Sequence, residues 1–198
     1  MKRSFVCGLI VAGAASLSCL PASAGLNMKE GLWRVEVNND FGVHQGSQDR
    51  KGDYSVNAVV EYEIPATPHA TLGLRVMPLF LYDQNGGDDY RYFKRIFKQD
   101  GEGGNTVAGA GFGINARYYQ VKDEYRGWFG EGTLSALIND DKFTGNSSNF
   151  NVGTGFGVGY QFKSDWHVQV HYQHISNGSL GDDNSGSNAL GFGVGYRF

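Results

Sequence analysis

The sequence holds two cysteines, Cys7 and Cys19, and both fall within its first 24 residues. The remainder can use neither a disulfide nor a thiolate, which suits a chain that crosses an oxidising compartment without cross-linking. Beyond the leader no stretch approaches the ~20 continuous apolar residues of a transmembrane helix. No basic run is present either, so nucleic acid is not an expected partner.

The first 24 residues read as a bacterial secretory signal. Lys2 and Arg3 form a basic start, Val6 to Leu20 a mostly apolar run, and Ala22-Ser23-Ala24 a small-residue cleavage site. Cleavage is expected after Ala24. Ser16 stands where a lipobox would need a branched aliphatic, so Cys19 is not expected to be lipidated. Residues 25–198 then form a single domain, and loss of Lys2 and Arg3 moves the formal charge from −3 to −5.

The whole sequence is rich in glycine, 30 residues, and in aromatics, 14%. The mean hydropathy of −0.36 does not argue for solubility if only alternate residues meet lipid. Alternation is the dominant pattern. In residues 166–173 Trp166, Val168, Val170 and Tyr172 alternate with His167, Gln169, His171 and Gln173. Over the last eleven residues Leu190, Phe192, Val194, Tyr196 and Phe198 alternate with Gly191, Gly193, Gly195 and Arg197. A large apolar set opposite a small or polar set suits a barrel wall with lipid outside and a narrow polar interior.

Similar stripes mark the other strands: Trp33 to Val37, Tyr54 to Ile64, Ala108 to Tyr118, Trp128 to Ile138 and Val152 to Phe162. Another stripe runs Leu72, Leu74, Val76, Pro78, Phe80 and Tyr82, with a break or bulge expected at Pro78. The expected fold is all-β, an eight-stranded antiparallel transmembrane β-barrel. Connections at 65–69, 120–124 and 163–165 are short, and those at 40–53, 83–105, 139–149 and 177–187 are long. Short turns face the periplasm and long loops the exterior in outer-membrane barrels. With an even strand count, the strand from Trp166 runs outward.

At the outer end of that strand the pattern changes. His174 and Ser176 continue the parity of Tyr172, and Asn188 has the parity of Leu190, so all three face outward. Residues two apart on one strand face have Cα atoms ~6.5–7 Å apart, within reach of an imidazole and a hydroxyl. A polar patch on an apolar wall, at the height of the outer leaflet, points to a lipid substrate. Among inward positions, Glu61, Glu63, Arg75, Arg117 and Glu131 are expected to pair with one another and plug the barrel. His167 and His171 are interior filling, and His44 and His69 lie in connecting segments and are expected to be solvated. Asp-rich stretches at 88–89 and 139–141 are solvated loop, or bridge lipopolysaccharide phosphates through divalent cations.

The stretch His174-Ile175-Ser176-Asn177-Gly178-Ser179-Leu180, followed by Asn184-Ser185-Gly186-Ser187-Asn188 and an aromatic last strand, resembles the lipid A 3-O-deacylase (PagL-type) family of acyloxyacyl hydrolase-like enzymes. The family pattern is His-x-Ser-Asn-Ala-Gly-Leu, then a Pro-Asn-x-Gly loop. The resemblance implies an outer-membrane enzyme that hydrolyses the ester at position 3 of lipid A from a site on the barrel's outer face. It implies Ser176 as nucleophile, His174 as its base, Asn188 in the place of the acid that orients the histidine, and Asn177 and Ser179 at the oxyanion hole. Gly178-Ser179 replaces Ala-Gly, and an amide replaces the carboxylate; Asp182 or Asp183 offers a substitute from the loop. No metal or cofactor is implied. The expected partners are lipid A or lipopolysaccharide and the outer membrane itself, and a homo-oligomer is compatible with the sequence. Two other readings stay open: a catalytically silent structural or adhesion barrel, and a small porin or scaffolding barrel.

Overall fold

A computed structural model describes residues 30–43, 50, 52–85 and 104–198. The expected secretory leader, His44 and the Asp-rich stretch at 88–89 lie outside these residues. Eight strands run in chain order: β1 (Leu32–Val43), β2 (Tyr54–Pro65), β3 (Ala70–Asn85), β4 (Gly104–Val121), β5 (Arg126–Asn139), β6 (Phe150–Gln161), β7 (Trp166–Ser176) and β8 (Ser187–Arg197). Each pairs antiparallel with the next, and β8 closes on β1. Closure leaves no open edge, as a sheet surrounded by hydrocarbon requires.

The alternation read from the sequence is the alternation of the wall. Trp33, Val35, Val37, Leu74, Val76, Phe112, Phe156 and Val170 are exposed, while the intervening residues face a filled interior. At the short-turn end the exposed aromatics form a girdle: Trp33 against Tyr62 at 5.0 Å, Trp128 against Tyr160 at 5.4 Å and Trp166 against Tyr196 at 5.3 Å. The hairpin from β6 to β7 is closed by Asp165 N–H donating to Phe162 O, with Asp165 itself at φ 64°.

The stripe on β3 differs from the sequence expectation. Two residues of β3, Pro78 and Leu79, oppose the single Ala110 of β4 between the pairs Met77–Gly111 and Phe80–Gly109. This bulge reverses parity. Leu79 and Leu81 face out, while Phe80 and Tyr82, expected outside, are buried at 0% and 2% exposure. Ile64, also expected outside, is covered where β2 ends in the turn at Pro65. His69 is not simply solvated: its ring stacks on Tyr118 and its Nδ1 lies 3.0 Å from Tyr119 O.

The interior has two layers. At mid-height the expected ion pairs form, joined by Arg34 and Glu36. Arg34 pairs with Glu63 at 2.8 Å, Arg75 with Glu36 at 2.8 Å and with Glu61 at 3.2 Å, and Arg117 with Glu131 at 2.9 Å and also with Glu61. Arg34 Nη1 lies 2.6 Å from His167 Nδ1, and a guanidinium can only donate. The proton of that ring is therefore on Nε2, which donates to Glu36 at 2.9 Å. Nearer the exterior an apolar layer takes over, with Phe80, Tyr82, Val107, Leu137, Phe143 and Ile175 in contact.

Glycine sets where the polar side chains fit. On β6 and β8 the inward positions beside β7 are mostly glycine: Gly157 and Gly191 flank His171, and Gly159 and Gly193 flank Gln169. A Cβ at Gly195 would lie 2.2 Å from His167 Cε1, and one at Gly191 the same distance from Asp40 Oδ1. The cavity left at mid-height is about 40 Å³ and touches Glu36, Arg75, Glu131 and His171.

Replacing Arg117 by Ala would leave Glu61 and Glu131 buried with fewer counter-charges. The expected cost is about 3–5 kcal/mol in urea unfolding of the reconstituted barrel, followed by tryptophan fluorescence.

Candidate active site

The polar patch lies where parity places it. His174, Ser176 and Asn188 are all partly exposed on the outer face, while Ile175, Asn177 and Ser187 between them are buried. His174 is the register partner of Asn188 on β8 and of Thr154 on β6, and Ser176 is the partner of Val152. The cross-strand pair is bonded: His174 Nδ1 lies 2.7 Å from Asn188 Oδ1. An amide oxygen can only accept, so the proton sits on Nδ1 and Nε2 carries a free lone pair. The ring is thus held in the form that can act as a base. No hydrogen bond joins His174 to Ser176 among the described residues; such contacts are often long before substrate arrives.

Below the patch the wall is aromatic and aliphatic. Phe156 stacks on Tyr172 at 5.3 Å, and exposed Leu190 is the register partner of Tyr172. Ile175, between the base and the hydroxyl in sequence, points inward into the apolar layer with Phe143 and Tyr82. The strand that presents the patch is therefore anchored from behind.

The loop after Ser176 is built on Asn177, which is fully buried. Its side-chain amide donates to Asn146 Oδ1 and to Asp183 O, both at 2.8 Å, and its Oδ1 accepts the Ser179 N–H at 2.9 Å. Its own N–H donates to Asn184 Oδ1 at 3.1 Å. Leu180 N–H returns to Asn177 O at 3.1 Å, and Gly178 and Ser179 both sit at φ 64°, the geometry of a type I′ turn. A serine in the left-handed region carries strain, which is common where backbone is shaped for function. Asp182 is exposed, and Asp183 uses its backbone to hold the neighbouring loop; neither side chain is bonded to His174.

In that neighbouring loop, residues 140–149, the sequence marked only a long connection with an acidic stretch. Phe143 is buried in the barrel mouth at 1% exposure, and Asn146 joins Asn177 to Asn151. A bridge between Asn146 and Asn184 runs the two loops side by side. Run in sequence as Asp-Asp-Lys-Phe-Thr-Gly-Asn-Ser-Ser-Asn, this segment looks like a solvated turn, and a single inserted phenylalanine is its one apolar signal. The Asp140 and Asp141 side chains there make backbone contacts, to Ala108 N and Lys142 N at 2.8 and 2.7 Å.

The family described as lipid A 3-O-deacylase (PagL) matches residues 71–197. The chain belongs to that family. The match takes in nearly all of β3 and the whole of β4 to β8, and so every residue of the patch and its loop. Among solved structures, the N-terminal β-barrel domain of Pseudomonas aeruginosa OprF is 12% identical, with 85% of this chain and 100% of that one covered and a TM-score of 0.45. Neisserial surface protein A is 14% identical, with 88% and 99% covered and a TM-score of 0.49. No curated protein matches the chain. This member of the lipid A 3-O-deacylase family is an outer-membrane β-barrel of eight strands.

Asn146 carries the link between the two loops of this deacylase-family barrel. Asn146→Ala should speed amide hydrogen exchange in residues 177–186 by about ten- to hundredfold, the loss of a buried bond worth ~1–3 kcal/mol, with exchange in the strands unchanged.

Proposed function

We propose that the barrel removes the ester-linked 3-hydroxyacyl chain at position 3 of lipid A, using Ser176 as nucleophile and His174 as general base. The observation that carries this is the His174–Asn188 hydrogen bond on the lipid-facing wall, with the Ser176 hydroxyl on the same row. An imidazole fixed in a base-competent tautomer has little purpose facing acyl chains unless a lipid reacts there. Family membership over residues 71–197 supports the same chemistry.

In the reaction, His174 Nε2 takes the Ser176 proton as Oγ attacks the ester carbonyl. The tetrahedral oxyanion meets the turn after Ser176. Asn177 and Ser179 supply the proposed donors there; each N–H now bonds a side-chain amide oxygen, at 3.1 and 2.9 Å, which the oxyanion would displace. Collapse breaks the ester C–O bond, and the imidazolium returns its proton to the departing sugar 3-hydroxyl. Water, deprotonated by the same nitrogen, then releases the 3-hydroxy fatty acid from Ser176. Asn188 keeps Nδ1–H pointed away from the reaction throughout. No step calls for a metal or cofactor. The substrate is taken from the outer leaflet, where the patch lies, and the barrel wall below it receives the acyl chains.

Mass spectrometry of lipid A from cells expressing the protein tests this. Loss of one 3-hydroxyacyl group is expected with the unaltered chain and not with Ser176→Ala or His174→Ala. Asn188→Glu should raise kcat, because a carboxylate stabilises the imidazolium that an amide only orients. Unchanged lipid A from the unaltered chain, in a folded barrel, would leave a silent structural barrel.

A further inference from the structure

Behind the His174–Asn188 pair, on the inner side of the wall, the first residue of β8 is gripped from several directions. Ser187 is buried, and its hydroxyl lies 2.7 Å from that of Tyr82 on β3. The same phenol donates to Asp53 Oδ2 at 2.6 Å. A phenol has one proton, so Ser187 donates to Tyr82 and Tyr82 to the carboxylate. Arg50, 3% exposed, lies beside Asp53 at 3.4 Å and spends its other donors on the loops. Its Nε donates to Gly186 O at 3.1 Å, and its Nη2 to Thr144 O at 2.7 Å and Ser185 Oγ at 3.1 Å.

None of these groups lies on the outer face, so none meets a lipid held there. What they fix is the point at which β8 begins. Ser187 and Asn188 are consecutive, with side chains on opposite faces, so anchoring one inside orients the other outside. Gly186, whose carbonyl Arg50 holds, turns at φ 54° immediately before. The barrel mouth is already closed by Phe80, Phe143 and their neighbours. A buried guanidinium and carboxylate add little stability to such an apolar seal, and the best-attested use of buried polar groups is to set register.

We propose that Tyr82, Arg50 and Ser187 are positioning residues for ester hydrolysis: an inner frame that holds the start of β8 so that Asn188 keeps His174 in its base-competent tautomer. The frame acts through Asn188 and so rests on the Ser176–His174 reading above. Its members come from three separated parts of the chain and reach the reaction only through the wall.

The test measures release of the 3-hydroxyacyl chain from lipid A in mixed micelles by the full-length barrel. It compares Tyr82→Phe, Ser187→Ala and the double variant, each retaining ring or backbone. Each single variant should lose about tenfold in kcat with KM unchanged, and the double no more than Tyr82→Phe alone, which already removes the bond to Ser187 along with the one to Asp53. Nitrogen-15 spectra should show the His174 Nδ1–H population falling in step. Wild-type kcat in both singles would overturn the frame, as would a change confined to KM, or multiplying losses in the double variant. Ser176→Ala separates the two levels. If that variant still releases acyl chain, the catalytic reading falls and the frame with it. If it is inactive while Tyr82→Phe and Ser187→Ala both keep full kcat, the frame alone falls. Arg50→Gln perturbs a buried charge and can unfold the mouth, so the two hydroxyl variants decide.

Discussion

A peptide group that enters hydrocarbon must already have its hydrogen bonds. Everything in this barrel follows from that constraint. The sheet has to close, closure gives each residue one of two sides, and the side decides whether it meets lipid or its neighbours' polar atoms. On such a wall a histidine bonded to an asparagine is conspicuous in a way it would not be on a soluble protein. The outward row from Trp166 to Tyr172 is apolar or aromatic, and at His174 it stops being so. The proposed chemistry sits at the place where the apolar row is interrupted.

Inside, the same rule works in reverse. A narrow barrel cannot afford unpaired charge, and Arg34, Arg75 and Arg117 are spread among Glu36, Glu61, Glu63 and Glu131 at the level of the lipid core. Above them, Phe80, Val107, Leu137 and Phe143 form a dry seal. The site therefore stands on a strand whose inner face passes from polar packing at His167 and Gln169 to apolar packing at Ile175. Glycines on β6 and β8 make this possible by yielding their inner volume to β7.

Much of this was legible in the sequence because a period of two needs no knowledge of distant residues. All eight strands and the shared face of His174, Ser176 and Asn188 came from alternation, and the expected direction of β7 from the contrast of short turns and long loops. Phe80 and Tyr82 were misplaced because a bulge adds one residue without leaving a mark on either side of it; Pro78 signals the break but not the reversal. Arg50, Asn146 and Ser187 were invisible for another reason. Their partners lie far away in sequence, Arg50 to Gly186 spanning 136 positions, and polar loop residues look alike until the loops are brought together. The roles of Ser176 and Asn177 rested on resemblance, since no spacing rule separates a catalytic serine from an ordinary one.

The bulge at Pro78 has a bearing on how this fold can change its length. In a closed wall of alternating faces, strands can lengthen or shorten only by even numbers of residues. An odd change between Tyr172 and His174 would swing the His174 imidazole into the interior and Ile175 into the lipid. β3 contains the one kind of exception the wall tolerates, an odd residue absorbed locally so that Leu81 stays outside while Tyr82 turns in. Insertions elsewhere in the strands therefore face an arithmetic filter before any question of chemistry arises, and the loops are where single residues can come and go.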